Sequence, residues 1–446
     1  MAVYDIRDII SLLHTKNEED RDLVKRAFDF AEIAHEGQKL PSGKPYLEHP
    51  FETAKILAQV GVDAKTIACA LLHDVIEESG VSPKEIADEF GRDMVVLIQD
   101  VSELSKLKYQ ATVDRYVESL QKLFVAMAHD VRPILVKFAG RIHNMRNLDY
   151  LPKDGQKRLA EETLELYAPL AERLGMRAIR GELQDLAFRH VYPKEYAQTK
   201  KLFESRSKVT RERLEKTYRH LQKRLTAEKI LNVKVEFRIK YLYSLFRKLE
   251  KYDMDIEKIY DIQALRIIVP TLADCYRILG IIHDIWTPVP GRIKDYIAIP
   301  KPNGYQSLHT TIFTGDGSVA EIQIRTEEMH REAEYGIASH VTYSATEKSR
   351  TGPIKGKELL WVRRLLEWQK HAAESEDLWQ EVVLDLFKDK IFVFSPKGDV
   401  FELPEEATPV DFAYAIHSEV GDHIQGAIVN QKYVTLSSKL HNGDVV

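Results

Sequence analysis

The chain has 446 residues, 44% of them hydrophobic, and a net charge of -5, which is material for two to four domains with proper cores. No apolar run approaches a membrane span, and the N-terminus MAVYDIRDII lacks the charged, apolar and small-residue order of a signal peptide. The only cysteines, Cys69 and Cys275, stand in apolar helical contexts, so disulfides are not expected and a soluble protein of the reducing cytoplasm is.

Charge is unevenly spread. Residues 1–100 hold 20 Asp and Glu against 11 Lys and Arg, whereas residues 200–251 hold 17 Lys and Arg against 6 acids. The middle of the chain therefore attracts anions, or else presents a solvated helical face with scattered ion pairs.

Helices are predicted throughout residues 1–195, where AFDFAEIAH, FETAKILAQV, TIACALLHDVIEE and ETLELYAPLAERLG repeat apolar residues three and four apart. A long charged helix follows. VKVEFRI then alternates, ALRIIV reads as a buried strand, CYRILGIIHDIW as a helix, and LHTTIF and VAEIQIRT as strands, which makes an α/β domain over 200–345. The linker 346–388 predicts a loop at TEKSRTGPIKGKE and an amphipathic helix at LLWVRRLLEWQKH. From 389 onward, IFVFSP, a turn at Gly398, VFELP, the helix VDFAYAIH and IQGAIVN predict a small β-rich unit. HNGDVV reads as the opening of one more strand, so a truncated piece of a longer protein is expected.

Chemistry-bearing residues gather in two places. In the first, His73 and Asp74 lie inside an apolar helix with Glu77 and Glu78 a turn on; this is a plausible Mn²⁺ site, against the plainer reading of a helix end with solvated acids and one satisfied histidine.

The second is the α/β domain. Arg238 and Lys240 end a strand, and Ser244, Arg247 and Lys248 fall on the next helix, whose first backbone amides favour an anion. Asp261 precedes the strand that carries Arg266; a carboxylate there can hold Mg²⁺ while the ion keeps waters and phosphate oxygens, although alone it would read as a cap. Arg292, Lys294 and Lys301 in GRIKDYIAIPKPNGYQSLHT add cations, the Arg fork suiting two phosphate oxygens and Lys acting as a compact charge. Asn303 and Gly304 permit a tight turn that presents Tyr305 to a purine, and His309 supplies a second ring. Glu321 lies on an alternating strand with Gln323 and Arg325 two and four residues on. A carboxylate there needs a metal or a positive partner, which makes it the candidate general base or second metal ligand. GPIKGK at Gly352 is one residue short of a P-loop and follows no strand, and neither GxGxxG nor HExxH occurs. The set suits phosphate transfer between nucleotides without the familiar nucleotide motifs.

GRIKDYIAIPKPNGYQSLHTT, EIQIRTEEMH and IYDIQALRIIV closely resemble the synthetase domain of the long RelA/SpoT-homologue enzymes, makers of the alarmone (p)ppGpp, and the resemblance extends over nearly the whole chain. It implies transfer of the β,γ-pyrophosphate of ATP to the 3′-hydroxyl of GDP or GTP, with release of AMP. It also implies that Asp261 binds Mg²⁺, that Glu321 helps to bind it and activates the hydroxyl, and that Tyr305 stacks on guanine. Arg238, Lys240, Arg266, Lys294, Lys301 and His309 would hold phosphates and adenine, with Ser244, Asn303, Gln306 and Gln323 completing the substrate-binding set. The RxKD run from Arg292 to Asp295 resembles the basic form found in dual-activity members, which is associated with GDP as acceptor.

Residues 1–155 resemble the family's HD-type (p)ppGpp hydrolase, and 156–199 its connecting helices. His49 in YLEHP, His73 and Asp74 match three ligands of the Mn²⁺ site, with Ser42, Glu77, Glu78 and Asn144 as further hydrolase residues. Three positions depart from the pattern. Gly140 stands where the ADRLHN motif supplies the fourth ligand, Leu40 replaces the Arg of GQxRxSG that packs on guanine, and Glu78 replaces the Asp of a Glu-Asp pair that acts on water. Weak or lost hydrolysis is expected, with a fully bifunctional synthetase and hydrolase as the alternative. Residues 389–446 resemble the start of a TGS domain, in which His417 matches a histidine that contacts the acceptor end of uncharged tRNA. The expected fold is therefore an all-α HD-type domain, an α/β nucleotidyltransferase-like domain with a mixed sheet, and a partial β-grasp TGS domain. Expected partners are ATP, GDP or GTP and (p)ppGpp, with uncharged tRNA and the ribosome in a longer protein. A catalytically quiet tRNA- or ribosome-binding regulator is the reading from a different class.

Overall fold

The computed structural model of the protein describes residues 4–15, 17–106, 130–259, 262–301, 304–315, 318–339, 341, 390–441 and 443–446. Asp261, Asn303 and the predicted linker helix LLWVRRLLEWQKH lie outside them. The described residues up to 341 belong to one compact unit and those from 390 to another.

The first unit opens with the predicted helices. Helix α1 (Glu18–Ala34) starts at Asn17, whose side chain accepts the Glu19 N–H, and buries Val24, Ala27, Phe28 and Ala31, one stripe at three- and four-residue spacing. Helix α2 (Glu48–Val60) and helix α3 (Ala64–Leu72) follow. Asp63 caps α3 by accepting the Thr66 N–H, and every residue of α3 except Lys65 is buried. A helix apolar all round belongs in the middle of its bundle. Its end places His73 and Asp74 inside the domain, opposite the start of α2, while helix α4 (Arg132–Arg146) packs along α2.

ETLELYAPLAERLG is helical, with one widened turn. Thr163–Tyr167 is a π-turn placed just before Pro169, a residue without the N–H that a regular α-helix needs. Helix α5 (Arg177–Val191) and the 35-residue helix α6 (Pro193–Ala227) complete the helical part. The α6 helix runs straight through 199/200, where the sequence places the junction between connecting helices and synthetase domain.

A five-stranded mixed sheet then forms from β1 (Lys234–Ile239), β2 (Gln263–Val269), β3 (Lys294–Asp295), β4 (Leu308–Phe313) and β5 (Val319–Thr326), in the order β1-β2-β5-β4-β3. Only β2 and β5 are parallel. The fully buried β2 is the near-continuous apolar run expected of a strand covered on both faces. Helix α7 (Leu242–Glu250) follows β1, α8 (Leu272–Ile285) follows β2 and α9 (Glu327–Tyr335) follows β5. Side-chain alternation gives the sheet two chemistries. Leu265, Ile267, Leu308, Ile312, Ile322 and Ile324 pack with Leu214, Leu221 and Leu225 of α6 and Cys275, Ile278 and Ile282 of α8. The opposite positions, in register across the strands, are Glu236, Arg238, Arg266, His309, Glu321 and Gln323.

In the second unit β6 (Lys390–Phe394) pairs antiparallel with β7 (Val400–Pro404), and helix α10 (Pro409–Ile416) is opened by a Thr408–Asp411 capping box. Strands β8 (Ala427–Val429) and β9 (Lys432–Val434) form a second hairpin, over a core of Ile391, Val393, Leu403, Phe412 and Leu440. The final residues make an isolated parallel bridge to β6, not a strand: Phe394 N–H donates to Asp444 O at 2.8 Å and Val446 N–H to Phe394 O at 2.9 Å.

Candidate active sites

In the helical part, the fold gathers His49 at the start of α2 with His73 and Asp74 at the end of α3. One ligand atom from each lies within 4.8 Å of the others. Their orientations are fixed from behind. The His73 Nδ1–H donates to Ala70 O at 2.8 Å, which leaves Nε2 free and 3.2 Å from Asp74 Oδ1. His49 Nδ1 meets Nδ1 of His143 at 2.9 Å, turning its Nε2 toward Asp74 Oδ2 at 3.6 Å. The Tyr46 hydroxyl donates to Asp74 Oδ2 at 3.1 Å. Outer partners of this kind set ring tautomer and aim at metal centres. Burial pulls His49 down to about 3, so it is neutral, as a ligand must be. Burial opposes ionisation of Asp74, but His73, His49 and the Tyr46 hydroxyl outweigh it and hold the carboxyl below its ordinary range. The donor set fits a divalent cation that accepts imidazole and carboxylate.

Gly140 sits on α4 facing this cluster. A Cβ there would stand 3.5 Å from His49 Cε1, 3.7 Å from its Nε2 and 3.8 Å from Thr53 Oγ1, all ordinary contacts. Glu77 and Glu78 are exposed on the short helix Val75–Ser79, Asn144 is exposed on α4, and Ser42 and Leu40 are half-buried in the loop before α2. Sequence reasoning missed His143, Tyr46 and Glu48, whose Oε1 lies 3.7 Å from His143 Nε2. The RIHN run, one helical turn beyond Gly140, was the signal for His143.

In the sheet, Glu321 lies on β5 beside Ala264 of β2 and Thr311 of β4. Gln323 Nε2–H donates to Glu321 Oε1 at 2.9 Å, and His309 Nδ1 lies 3.3 Å from the same oxygen. The other nitrogen of His309 meets the Tyr305 hydroxyl at 2.8 Å. Neutral His309 thus bridges phenol and carboxylate by donating through Nδ1 and accepting through Nε2. Burial lowers its pKa and the Glu321 contact only partly offsets this. Lys301 lies over the rings of Tyr296 at 4.8 Å and Tyr305 at 5.4 Å. Burial first, then Arg177, Lys294 and Arg180, push its ammonium below the usual lysine range. Lys294 pairs in register with His309, and Arg238 with Ala264, the neighbour of Glu321. Lys240 and Ser244 follow at the start of α7.

Two candidates are engaged elsewhere. Gln306 Nε2–H donates to Ile297 O at 3.2 Å. Arg266 contacts Glu334 of α9 at 2.9 Å and Glu236 at 3.6 Å. Glu334 also pairs with the fully buried Arg325 at 2.8 Å, and Arg325 Nη2 meets His330 Nδ1 at 2.8 Å. Burial opposes the charge on Glu334, but Arg266 and Arg325 outweigh it and keep the carboxyl ionised. In the second unit His417 is exposed and accepts the Glu419 N–H at 3.2 Å, capping a short helix. Tyr296 and Glu334 were missed because a lone tyrosine or helical glutamate carries no local signal.

Residues 27–177 match the HD domain, 237–348 the region found in RelA and SpoT proteins, and 391–446 the TGS domain. A GTP pyrophosphokinase of Myxococcus xanthus is 45% identical over 96% of this chain and 56% of its own length. The bifunctional (p)ppGpp synthase/hydrolase SpoT of Escherichia coli K12 is 41% identical over 100% of this chain and 63% of its own. The chain thus spans little more than half the length of these relatives. A crystal structure of the small alarmone synthetase 2 from Bacillus subtilis is 26% identical over 40% of this chain and 91% of that one, with a TM-score of 0.26. Among the described residues no helix is long and apolar enough to cross a membrane.

Proposed function

Since the chain belongs to the long RelA/SpoT-homologue family, with its HD, RelA/SpoT and TGS domains, we propose that it transfers pyrophosphate from ATP to the 3′-hydroxyl of GDP or GTP. The observation that carries this reading is the Glu321 carboxylate, aligned by Gln323 and His309 beside Tyr305 and Lys301. Phosphoryl transfer needs alignment and charge neutralisation more than covalent chemistry. Glu321 takes the proton of the 3′-hydroxyl, the 3′ oxygen bonds to the β-phosphorus of ATP, and the bond from that phosphorus to the α,β-bridging oxygen breaks, so AMP leaves with the electron pair. Lys301 and Lys294 offset charge on the transferring group, and the Tyr305 face takes the guanine. Mg²⁺, held by Glu321 together with Asp261, would supply further neutralisation of the phosphates. The basic RxKD run favours GDP as acceptor.

The HD domain is read as impaired. His49, His73 and Asp74 would hold Mn²⁺, whose chemistry is activation of a water, but Gly140 contributes no fourth oxygen. Full bifunctionality is the second reading, favoured by the alignment of the three remaining ligands. The TGS domain, with His417, fits contact with uncharged tRNA and the ribosome in a longer protein, and the cytoplasm is the matching location.

A paired assay separates these readings: ATP with GDP or GTP and Mg²⁺ scored for (p)ppGpp and AMP, beside ppGpp with Mn²⁺ scored for GDP and pyrophosphate. Synthesis alone is expected. Both activities would establish the bifunctional reading, and neither would favour the binding regulator.

A further inference from the structure

Helix α5 and the turn before it link the helical part to the sheet, and together they are fastened to the synthetase domain at three places. Ile337 N–H donates to Leu174 O at 3.0 Å, where Gly336 approaches so closely that a Cβ would lie 2.1 Å from that same oxygen. The Tyr241 hydroxyl donates to Ala178 O at 3.3 Å, its ring filling the space that Gly181 leaves open. The Asp185 carboxylate accepts the N–H groups of Leu242 at 3.0 Å and Tyr243 at 2.9 Å. Tyr241, the residue before α7, gives that helix no side-chain cap, so Asp185 of α5 provides it. The turn before α5 is therefore held against the residues that follow α9, and α5 itself against Tyr241 and the first residues of α7.

Arg177 is the first residue of α5. It stands within electrostatic range of Lys301, His309, Arg266 and Glu334, four residues of the synthetase site and its buried support. The residue is half-buried, and among the described residues its side chain makes no hydrogen bond or ion pair. The nearby acid is already committed, because Glu334 serves both Arg266 and Arg325. Glu236 is shared between Arg266 and Lys234. Unused donors remain: Nε of Arg266, and Nε and Nη1 of Arg325, are buried without a hydrogen-bond partner. Arg177 and Lys294 thus act on Lys301 with no carboxylate paired to any of the three among the described residues, while Arg180 beside them is held by Glu172, an arrangement that repels itself until an anion enters. An Arg fork there matches two phosphate oxygens.

We propose that Arg177, although it belongs to the connecting helices and not to the synthetase domain, is a substrate-binding residue of the synthetase site that holds the polyphosphate of a nucleotide. The proposal rests on the pyrophosphotransferase reading for its substrate class. It makes that site a composite, incomplete without α5, with Asp185 as a positioning residue that sets α5 against α7.

The test uses the full chain with Arg177→Gln and Arg177→Lys. Dissociation constants for ATP and for GDP are measured by calorimetry at two salt concentrations, beside KM and kcat for synthesis. Arg177→Gln is expected to weaken one of the two nucleotides tenfold to a hundredfold, to flatten the salt dependence of that nucleotide, and to leave the melting temperature unchanged. Arg177→Lys recovers part of the affinity. Which nucleotide responds identifies whose phosphates Arg177 meets. Affinities for both within twofold of the parent, or a loss that follows only a lowered melting temperature, would overturn the proposal. If the parent chain makes no (p)ppGpp, the pyrophosphotransferase reading has failed, and the two dissociation constants still decide the role of Arg177.

Discussion

The Cβ that Gly140 lacks would stand 3.5 Å from Cε1 of His49 and 3.7 Å from the nitrogen that faces Asp74. A side chain at this position would begin beside His49, and its Cβ would meet only ordinary van der Waals contacts.

Gly140→Asp is therefore expected to tighten Mn²⁺ binding by at least tenfold and to raise Mn²⁺-dependent pyrophosphate release from ppGpp, without loss of thermal stability. Calorimetric Mn²⁺ titration and a ppGpp hydrolysis assay check this. No change in affinity would mean that the three present ligands already form the complete site.

Glu321→Gln keeps the size of the side chain and removes the base. Synthesis is expected to fall about 10²- to 10⁴-fold in kcat while ATP and GDP still bind. Because Gln323 and His309 both address Oε1, Gln323→Ala should produce a smaller loss in kcat with KM little altered. A Glu321→Gln variant with near-parental kcat would remove this residue from the proton transfer.

Glu334 is the shared counter-ion of Arg266 and Arg325, the latter with no exposed side-chain surface. Glu334→Gln leaves two buried guanidinium groups without it and is expected to cost about 3–5 kcal/mol of stability, since breaking a buried pair strands its partner. Denaturant unfolding reads the loss directly.

His330 is driven down to about 4 by burial, and then by Arg325 and Arg266. An unfolded histidine takes up its proton near pH 6.5, so between about pH 6.5 and 4 the unfolded chain binds the proton and the folded one does not. Stability should fall as pH drops through that window, with the penalty complete below pH 4. Between pH 7 and 5 the loss from this residue should be about 1 kcal/mol, allowing for solvent screening of a partly exposed ring. Melting curves of the parent and His330→Gln check it, the variant losing less on acidification.

Gly336 has φ +50, and its backbone lies against Leu174 and Gly175. Gly336→Ala brings both left-handed strain and a clash with Leu174 O that no rotamer relieves, so a loss of more than 2 kcal/mol is expected in thermal or denaturant unfolding. Tolerance of alanine would show that the α5 contact has slack.

Periodicity alone marked the helices of residues 1–195 and four of the five strands of the sheet, all but the two-residue β3, because burial on one face dictates an apolar repeat of 3.6 or of 2 residues whatever the partner. Local chemistry and resemblance picked out His49, His73, Asp74, His309 and Glu321, since ligands and bases stand out as polar residues in apolar runs.

The partners of those residues were decided only by tertiary structure. Sequence does not say that Glu334, sixty-eight residues after Arg266, folds against it. His143 reads as one more helical histidine until α4 packs along α2 and sets it on His49. Arg177 reads as a linker cation until Asp185, Tyr241 and Gly336 fix its helix to the synthetase domain. A side chain's type and spacing are written locally, but its charge partner is whichever group the packing of distant elements brings within a few ångströms, and that distance decides whether an arginine is a brace or a ligand.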